Sequence, residues 1–468
     1  MSGDGLPQAL SFDDVILLPG RSRVEPWQVD ISTKASRRTS IRIPLIAAPM
    51  DTVSEWRLAV SLALLGGVAV IHRNMSREEQ LNHVEKVKRH PKVKLAELYV
   101  EAGDECCRVV EYMRSLGLRN LPLVSGGRPV GTVRFTDLAG CRCGERVEKY
   151  ARGEAVYPID ALREALEVLR GGRYDTVALT GEGGVFLGTV VFDEALRDYQ
   201  PAVDSEGRLL VAAAVSPFDV ERVKMLDGVA DILVIDVAHF HNDNVMNAVR
   251  RFAKDLVSDL VVGNIGTSEA VVDAFSIVER VDGLRVGIAG GNICTTSGVA
   301  GVAAPTLYAV MMARRGLEEV GVDPGEVPII ADGGIRGSGD AVKALAAGAS
   351  AVMSGYMLAG TDEAAAPLIR VGGRAYKPYR GMASRGAMER RFAVDRYSRV
   401  AKRVEEGIEG LVPYRGPLEK VVAEFVEGVK AGLGYAGAAS IEELWRVARF
   451  ARIASRIGAY TGTVKTEA

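Results

Sequence analysis

Of the five cysteines in this 468-residue chain, Cys294 stands where chemistry is easiest to imagine. It lies in Gly290-Gly291-Asn292-Ile293-Cys294-Thr295-Thr296, directly after the apolar run GLRVGIAG. Glycines let a backbone approach a ligand closely, and a thiol becomes a nucleophile when local dipoles or a cation lower its pKa. A lone Cys is also a common small core residue, so its type alone leaves filler and nucleophile open. Asp332, in ADGGIRGSGD, poses the same choice. Its carboxylate could accept hydrogen bonds from sugar hydroxyls while the glycines offer N–H groups to a phosphate, or it could cap a tight turn. The stretch DVAHFHND sets His239 and His241 near Asp236, a pattern seen in metal sites of barrel hydrolases. With five His in all, and His83 and His90 on a Lys-rich helical stretch, too few ligands remain for a binuclear centre. Cys106-Cys107 and Cys141-Arg142-Cys143 lack the CxxC spacing of zinc clusters, and packed or exposed thiols are the expectation there.

These residues need a frame that gathers them. Short, almost continuously apolar runs (IPLIAAP, GVAVIH, LLVAAAV, DILVIDVA, LVVGNI, LRVGIAG, PIIADGG, SAVMSG) alternate with amphipathic stretches such as EWRLAVSLALL and SEAVVDAFSIVER. Runs of that kind suit parallel strands buried on both faces, and the alternation is that of βα units. Eight such units predict an α/β fold of the closed (β/α)8 TIM-barrel kind. An open doubly wound sheet would want a Rossmann glycine fingerprint, which is missing. In such barrels the active site lies at the C-terminal ends of the strands. Those ends carry Met50 and Asp51, His72-Arg73-Asn74, Asp236 with His239 and His241, Asn264, Cys294-Thr295-Thr296, Asp332-Gly333-Gly334 and Gly355.

One interval interrupts the rhythm. Residues 1–93 and 206–468 supply the barrel, whereas 94–205 hold two similar halves. AGDECCRVVEYMRSLGLRNLPLVSGGRPVGTVRFTDL is echoed by YPIDALREALEVLRGGRYDTVALTGEGGVFLGTVVFDEAL, each reading helix, strand, Gly turn, strand, helix. A polar, Arg-rich stretch from Thr361 to Pro413 shows no clear apolar period, and loops that long are usually lids or binding loops. Two helices, PLEKVVAEFVEGVKAGL and SIEELWRVARFARIASRI, are expected to close the chain. Lys plus Arg (58) against Asp plus Glu (60) gives a formal charge of −2, so nucleic acid is not an expected partner. No apolar run approaches the roughly 18 residues that span a bilayer, and the N-terminus lacks a signal-peptide pattern. The expectation is a soluble cytoplasmic protein, with no membrane partner and no disulfide framework among its odd number of cysteines.

The motifs LSFDDVILLPG, PMDTVSE, GGVAVIHRNMS, ICTT, ADGGIRGSGDAVKALAAGA, MLAGT, YRGM, DRY and EGIEGLVPYRGPL, in this order and spacing, resemble the family of inosine-5′-monophosphate (IMP) dehydrogenase and GMP reductase. They span nearly all of the chain outside the insert, which itself resembles a tandem CBS (Bateman) module. The resemblance implies that Cys294 attacks C2 of a purine nucleotide, that hydride leaves for NAD, and that a thioimidate remains. It implies that Thr296 assists the thiol or the later water, and that Asp332 holds the ribose hydroxyls. Met50, Asn292, Gly334, Gly355, Tyr356, Tyr379, Gly381, Met382 and Glu406 would line the nucleotide site. Asp236, Asn264 and Gly287 would lie on the cofactor side. The carbonyls of Ala289, Gly291 and Cys294 would hold a monovalent cation, K+. Arg396 and Tyr397, on a flap within 361–413, would activate water for hydrolysis. An adenine or guanine nucleotide on the CBS module and a homotetramer or octamer are further implications.

The Arg-Tyr pair favours IMP oxidation to XMP, a step of guanine nucleotide synthesis, over GMP reduction, which needs no hydrolytic flap. Departures from the family pattern cluster at phosphate contacts: Asn292 and Tyr356 stand at usual Ser positions, and Ala47 or Ala48 at a third. AHFHN replaces AHGHS, bringing Phe240 toward the cofactor side, and the usual C-terminal cation-site segment is not recognisable in ASRIGAYTGT. A relative acting on another purine derivative, and a nucleotide-sensing regulator built on the CBS module, are the alternative expectations.

Overall fold

The computed structural model describes residues 7–291, 293, 296–389, 392 and 407–453. It divides into two compact units, Pro91–Tyr199 and the remainder of the chain. The larger unit is a closed parallel barrel of strands β1 (Leu45–Ala47), β2 (Val68–Ile71), β3 (Ala212–Val215), β4 (Ile232–Ile235), β5 (Asp259–Ile265), β6 (Gly283–Val286), β7 (Ile329–Asp332) and β8 (Ala351–Ser354). β8 closes on β1 with Ser354 opposite Ala47. β2 pairs with β3, Val70 opposite Ala212, although the whole smaller unit lies between them in sequence.

The apolar runs are continuous because both faces are buried. Val68 and Val70, Ala212 and Ala214, and Ile232 and Val234 join Val261, Ile330 and Met353 in the barrel interior. The alternate residues Ala69, Ile71, Ala213, Leu233 and Ile235 are buried as well, on the face that barrel helices cover. Helix starts are set by side chains. Ser76 caps Arg77–Lys88 in a reciprocal box with Glu79, Asn242 caps Asp243–Ala253, and Thr267 caps Ser268–Val278.

The smaller unit repeats one topology twice. Val100–Glu101 runs parallel to Asn120–Ser125, which forms a hairpin with Arg128–Arg134; Val156–Pro158, Thr176–Thr180 and Phe186–Val191 do the same. The halves meet at equivalent strand positions. The Asn120 amide donates to the Thr176 carbonyl at 2.7 Å and its Oδ1 accepts from Asp175 N at 2.8 Å. Both Asn120 and Thr176 are buried, so this seam is polar and fully paired. The unit's edges fall a few residues before the expected 93/94 and 205/206 positions. Val93 packs in the core of its second half, while Ala202 N bonds to Ala63 O of the barrel.

Three expectations are corrected. The stretch from Thr361 to Pro413 is not one long loop: Ile369–Val371, Arg374–Arg380 and Glu409–Pro413 form an antiparallel sheet. Its hairpin turns on Gly372 (φ 56°) and Gly373 (φ 80°), a two-glycine signal set among charged residues that hid the strands. Buried Lys377 fastens it, donating to the carbonyls of Thr361, Asp362 and Ala364 at 2.6, 3.1 and 2.9 Å. The final helix stops at Val447, because Phe450–Arg452 pairs as a strand with Val15–Leu17.

The third correction concerns the thiols. Cys106 is bonded to Cys141 and Cys107 to Cys143, with Cα–Cα separations of 6.2 and 5.1 Å. The first turn of helix Cys106–Leu116 lies beside the loop after Asp137–Gly140, held by Cys106 N to Glu145 O at 2.9 Å and Val147 N to Asp104 O at 3.0 Å. That places the Cα atoms within bridging range. Cysteine parity and a missing signal peptide speak to compartment, not geometry, and intracellular disulfides occur in hyperthermophiles.

The two bridges span 35 and 36 residues in parallel. Whichever forms first closes the long loop; the second then closes a ring of only a few residues and removes little further chain entropy. Replacing Cys107 and Cys143 with Ser should therefore cost under about 1 kcal/mol of unfolding free energy. Replacing all four with Ala should cost roughly 4 kcal/mol or more. Urea unfolding of the oxidised full-length variants checks this, and equal, additive losses would contradict the redundancy.

Candidate active site

The C-terminal strand ends open into a cavity of about 460 Å³. It gathers Met50 after β1, Asn264 of β5, Gly287, Ala289 and Gly291 after β6, Asp332 of β7 and Gly334 after it, and Gly355 and Tyr356 after β8. Tyr379, Gly381 and Met382 enter from the end of the antiparallel sheet. The backbone turns after β6 and β7 touch directly. Gly333 sits at φ 99°, and a Cβ there would lie 2.9 Å from the Gly290 carbonyl carbon. At Gly355 a Cβ would lie 2.4 Å from the Met50 sulfur and 3.1 Å from the Tyr379 hydroxyl, so only glycine leaves the cavity open there. Ala289 holds a left-handed conformation at φ 61°, an uncommon one for a residue with a side chain.

The charges beneath the cavity are organised by Arg285. Its guanidinium reaches Asp332 Oδ2 through Nε and Nη2, both at 2.8 Å, and Asp236 Oδ1 through Nη1 at 2.9 Å. Arg73 supports Asp236 from the other side, at 3.4 Å to Oδ2 and 3.0 Å to its carbonyl. Asn264 Nδ2 donates to Asp332 Oδ2 at 3.1 Å and to Gly287 O at 2.8 Å, while Thr306 Oγ1 holds the Asp332 carbonyl at 3.0 Å. All hydrogen bonds to the Asp332 carboxylate from described residues land on Oδ2, which leaves Oδ1 for a ligand. Asp236 is buried and not part of the cavity wall; it touches Arg285, which is. Sequence reasoning passed over Arg285, whose signal is a lone charge inside the buried strand GLRV.

A second set of contacts ties the antiparallel sheet to the cysteine loop. Ile408 N donates to Ile293 O at 3.1 Å, and Gly381 N donates to Ile408 O at 3.1 Å. Arg380 grips buried Asp51 bidentately at 3.0 and 2.6 Å, and Asn74 Nδ2 joins Asp51 at 2.8 Å and Ala387 O at 3.1 Å. Arg380 was another residue missed, being masked by its Arg-rich surroundings. Burial pushes the Tyr379 phenol up, with Asp332 and Tyr356 adding to the effect, so it stays a neutral hydroxyl donor. Arg415 lies over the Tyr356 ring at 5.5 Å. His241 Nε2 meets Asp273 Oδ2 at 2.8 Å, and burial with His241 beside it pushes His239 toward the neutral form. Among the described residues no group of three His, Cys, Asp or Glu could hold a metal ion. Asn292, Cys294, Arg396, Tyr397 and Glu406 lie outside the described residues; Thr296 begins the short helix Thr296–Ala300.

A family model described as IMP dehydrogenase / GMP reductase domain matches residues 9–461. The chain belongs to that family. It is 43% identical over 452 residues to inosine-5′-monophosphate dehydrogenase of Korarchaeum cryptofilum, covering 95% of this chain and 94% of that one. It is 40% identical to the enzyme of the same name from Thermoplasma acidophilum, with 96% and 92% covered. Among solved structures it is similar to a cysteine-to-alanine variant of GMP reductase from Trypanosoma brucei, 35% identical with a TM-score of 0.72 in complex with guanosine 5′-monophosphate. That complex covers 96% of each chain, and a second structure of the variant superposes with a TM-score of 0.76.

In this member of the IMP dehydrogenase / GMP reductase family the Asp51–Arg380 pair carries a testable electrostatic signature. Burial alone would raise the Asp51 carboxyl, yet hydrogen bonding and attraction to Arg380, with Asn74 and His72 adding, hold it below 3.8. A depressed folded pKa contributes stability that is present above the unfolded value and is lost as pH falls through the folded one. Asp51→Asn should cost about 3 kcal/mol at neutral pH. The gap to wild type should hold down to about pH 5 and narrow below 3.8. Urea unfolding across that range checks it; a gap that widens on acidification would contradict the assignment.

Proposed function

We propose that this protein catalyses the NAD-dependent oxidation of IMP to XMP. The observation that carries the reading is the cavity itself. A carboxylate whose Oδ1 takes no hydrogen bond from a described residue, that of Asp332, faces a space walled by glycine turns and bordered by Gly291 and Ile293, the chain neighbours of Asn292 and Cys294. A nucleotide suits this arrangement: Asp332 Oδ1 accepts from ribose hydroxyls, while the backbone at Gly334 and Gly355 and the Tyr379 hydroxyl face its phosphate. Met50, Gly381 and Met382 border the base, with Glu406 as the family's contact to the purine ring. Tyr356 and Asn292 take phosphate-side positions where the family pattern has Ser.

Cys294 is the nucleophile in this proposal. Its thiolate adds to C2 of IMP, C2 loses hydride, and the thioimidate is hydrolysed with Arg396 and Tyr397 orienting and deprotonating water. Thr296 assists proton movement at the thiol or the water. NAD, when bound, supplies the hydride acceptor, and the cavity fits it: buried Asn264 Oδ1 has no hydrogen-bond partner among the described residues, and Gly287 lies beside it. Asp236 serves that side through Arg285. The carbonyls of Ala289 and Gly291 accept no hydrogen bond from a described residue and, with that of Cys294, would suit K+. We further propose that the smaller unit is a tandem CBS module for an adenine or guanine nucleotide, supported by its repeated topology. A homotetramer or octamer working in the cytoplasm completes the proposal. No helix among the described residues is long and apolar enough to cross a membrane.

GMP reduction is the second reading, favoured by the likeness to structures titled GMP reductase. Purified protein incubated with IMP and NAD should generate reduced cofactor, read by its absorbance. No signal with IMP but oxidation of NADPH with GMP would replace the first reading with the second. Cys294→Ala should abolish turnover and covalent trapping of the nucleotide. Arg396→Ala should retain a burst of NADH while slowing steady-state turnover 100-fold or so, in the range of a lost general base. Loss of the burst as well would refute its restriction to hydrolysis.

A further inference from the structure

The twin bridges of the smaller unit are unequal in surroundings. Cys106 is fully buried in an apolar core with Val109, Met113 and Leu121, and Cys141 packs against that core. Cys143 is exposed and Cys107 half-buried, so the second bridge is the outer one. Their redundancy in chain entropy means that the outer bridge contributes little to holding the long loop closed once the inner one exists. The loop is also anchored without it: Gly144 N donates to Glu105 Oε1 at 2.8 Å, and Arg146 bonds to Gly103 O. Opening the outer bridge thus leaves the local fold in place.

We propose that Cys107–Cys143 is a site of thiol–disulfide exchange whose partner is a dithiol reductant, with Cys143 as the sulfur attacked. A reductant thiolate reaches Cys143 from solvent and bonds to its sulfur, and the Cys107 sulfur leaves with the electron pair of the broken bond. The reductant's second thiol then attacks the mixed disulfide, releasing Cys143 as a thiolate. Protons from the reductant's two thiols end on Cys107 and Cys143, and the dithiol departs as a disulfide. Cys107 is well placed to leave because it lies in the first turn of the eleven-residue helix Cys106–Leu116. The helix dipole there stabilises a thiolate, and a better leaving thiolate speeds exchange. The carboxylates of the loop, Glu105 and Glu145, are each held by hydrogen bonds within it. Glu105 is held by Gly144 N, and Glu145 by Tyr150 at 2.6 Å and Arg142 N at 3.1 Å. Cys106 shares the helix turn, but its apolar surroundings disfavour a thiolate and bar access. The inner bridge therefore stays closed.

The test uses the oxidised, full-length protein under native conditions. It is treated with rising dithiothreitol, quenched with iodoacetamide and mapped by peptide mass spectrometry. Cys107 and Cys143 should become alkylated at reductant concentrations at least tenfold below those that expose Cys106 and Cys141. Cys294 is scored on its own peptide and does not enter the comparison. A brief pulse of glutathione, quenched the same way, should leave the glutathione adduct on Cys143 rather than Cys107. Opening of all four cysteines together, earlier opening of the inner pair, or no opening before the protein unfolds would each overturn the proposal. An adduct chiefly on Cys107 would overturn the assigned direction of attack.

Discussion

Everything at the mouth of the barrel depends on one guanidinium. Arg285 lies between Asp236 and Asp332, and Arg73 closes the set, so two cations and two anions form a neutral group of which Arg285 and half-buried Asp332 reach the cavity. Burying any one of these charges alone would be prohibitive, and each is tolerated because the strand ends of β2, β4, β6 and β7 bring all four to one level. Deleting a member leaves a charge in a dry interior, which is far costlier than never having had the group. The arrangement also aligns Asp332. Arg285 and Asn264 both bond to Oδ2, which fixes the orientation of the carboxylate at the cavity.

The second constraint is backbone hydrogen bonding between distant parts of the chain. The cysteine loop after β6 is held on one side by backbone contact with the Gly333–Gly334 turn and on the other by the Ile293–Ile408–Gly381 ladder. Ile408 follows the segment that carries Arg396, Tyr397 and Glu406, and Gly381 precedes it. The two ends of that segment are therefore fixed to the residue beside Cys294. The cysteine loop and that segment share one backbone anchor, and the Asp51–Arg380 pair secures it beside β1.

The barrel was legible because its cause is local. Parallel strands buried on two faces must be apolar throughout, and eight such runs have few other ways to be satisfied. The strand-end candidates Met50, Asn264, Asp332 and Gly355 followed from that frame and do line the cavity, whereas Tyr356, Tyr379, Gly381 and Met382 were expected only from the family resemblance. What escaped were features fixed by partners far away in sequence. Arg285 looks like an anomaly in GLRV until Asp236 and Asp332 stand on either side of it. The strands around Gly372-Gly373 are too charged to read as strands until Lys377 finds three carbonyls. The strand Phe450–Arg452 continues a helical pattern and is overridden by its pairing with Val15–Leu17. Pairing of the four clustered cysteines depends on a helix start meeting a loop some 35 residues on, which no spacing rule records.

The position of those disulfides follows from size. The barrel buries a large continuous core and has no bridge among its described residues. Each half of the smaller unit has only its own small cluster, one around Val109, Met113 and Leu121 and the other around Leu169, Val177 and Val190. Cores of that size supply little surplus over conformational entropy, so the halves lean on other devices. The Asn120–Thr176 seam and the Arg119–Asp175 ion pair join them through polar contacts that fix their register. The first half adds covalent closure, and one bridge suffices for that. A second bridge in parallel has almost no entropic work left to do, and because it is also the exposed one, stability is a poor explanation for it and reactivity a better one.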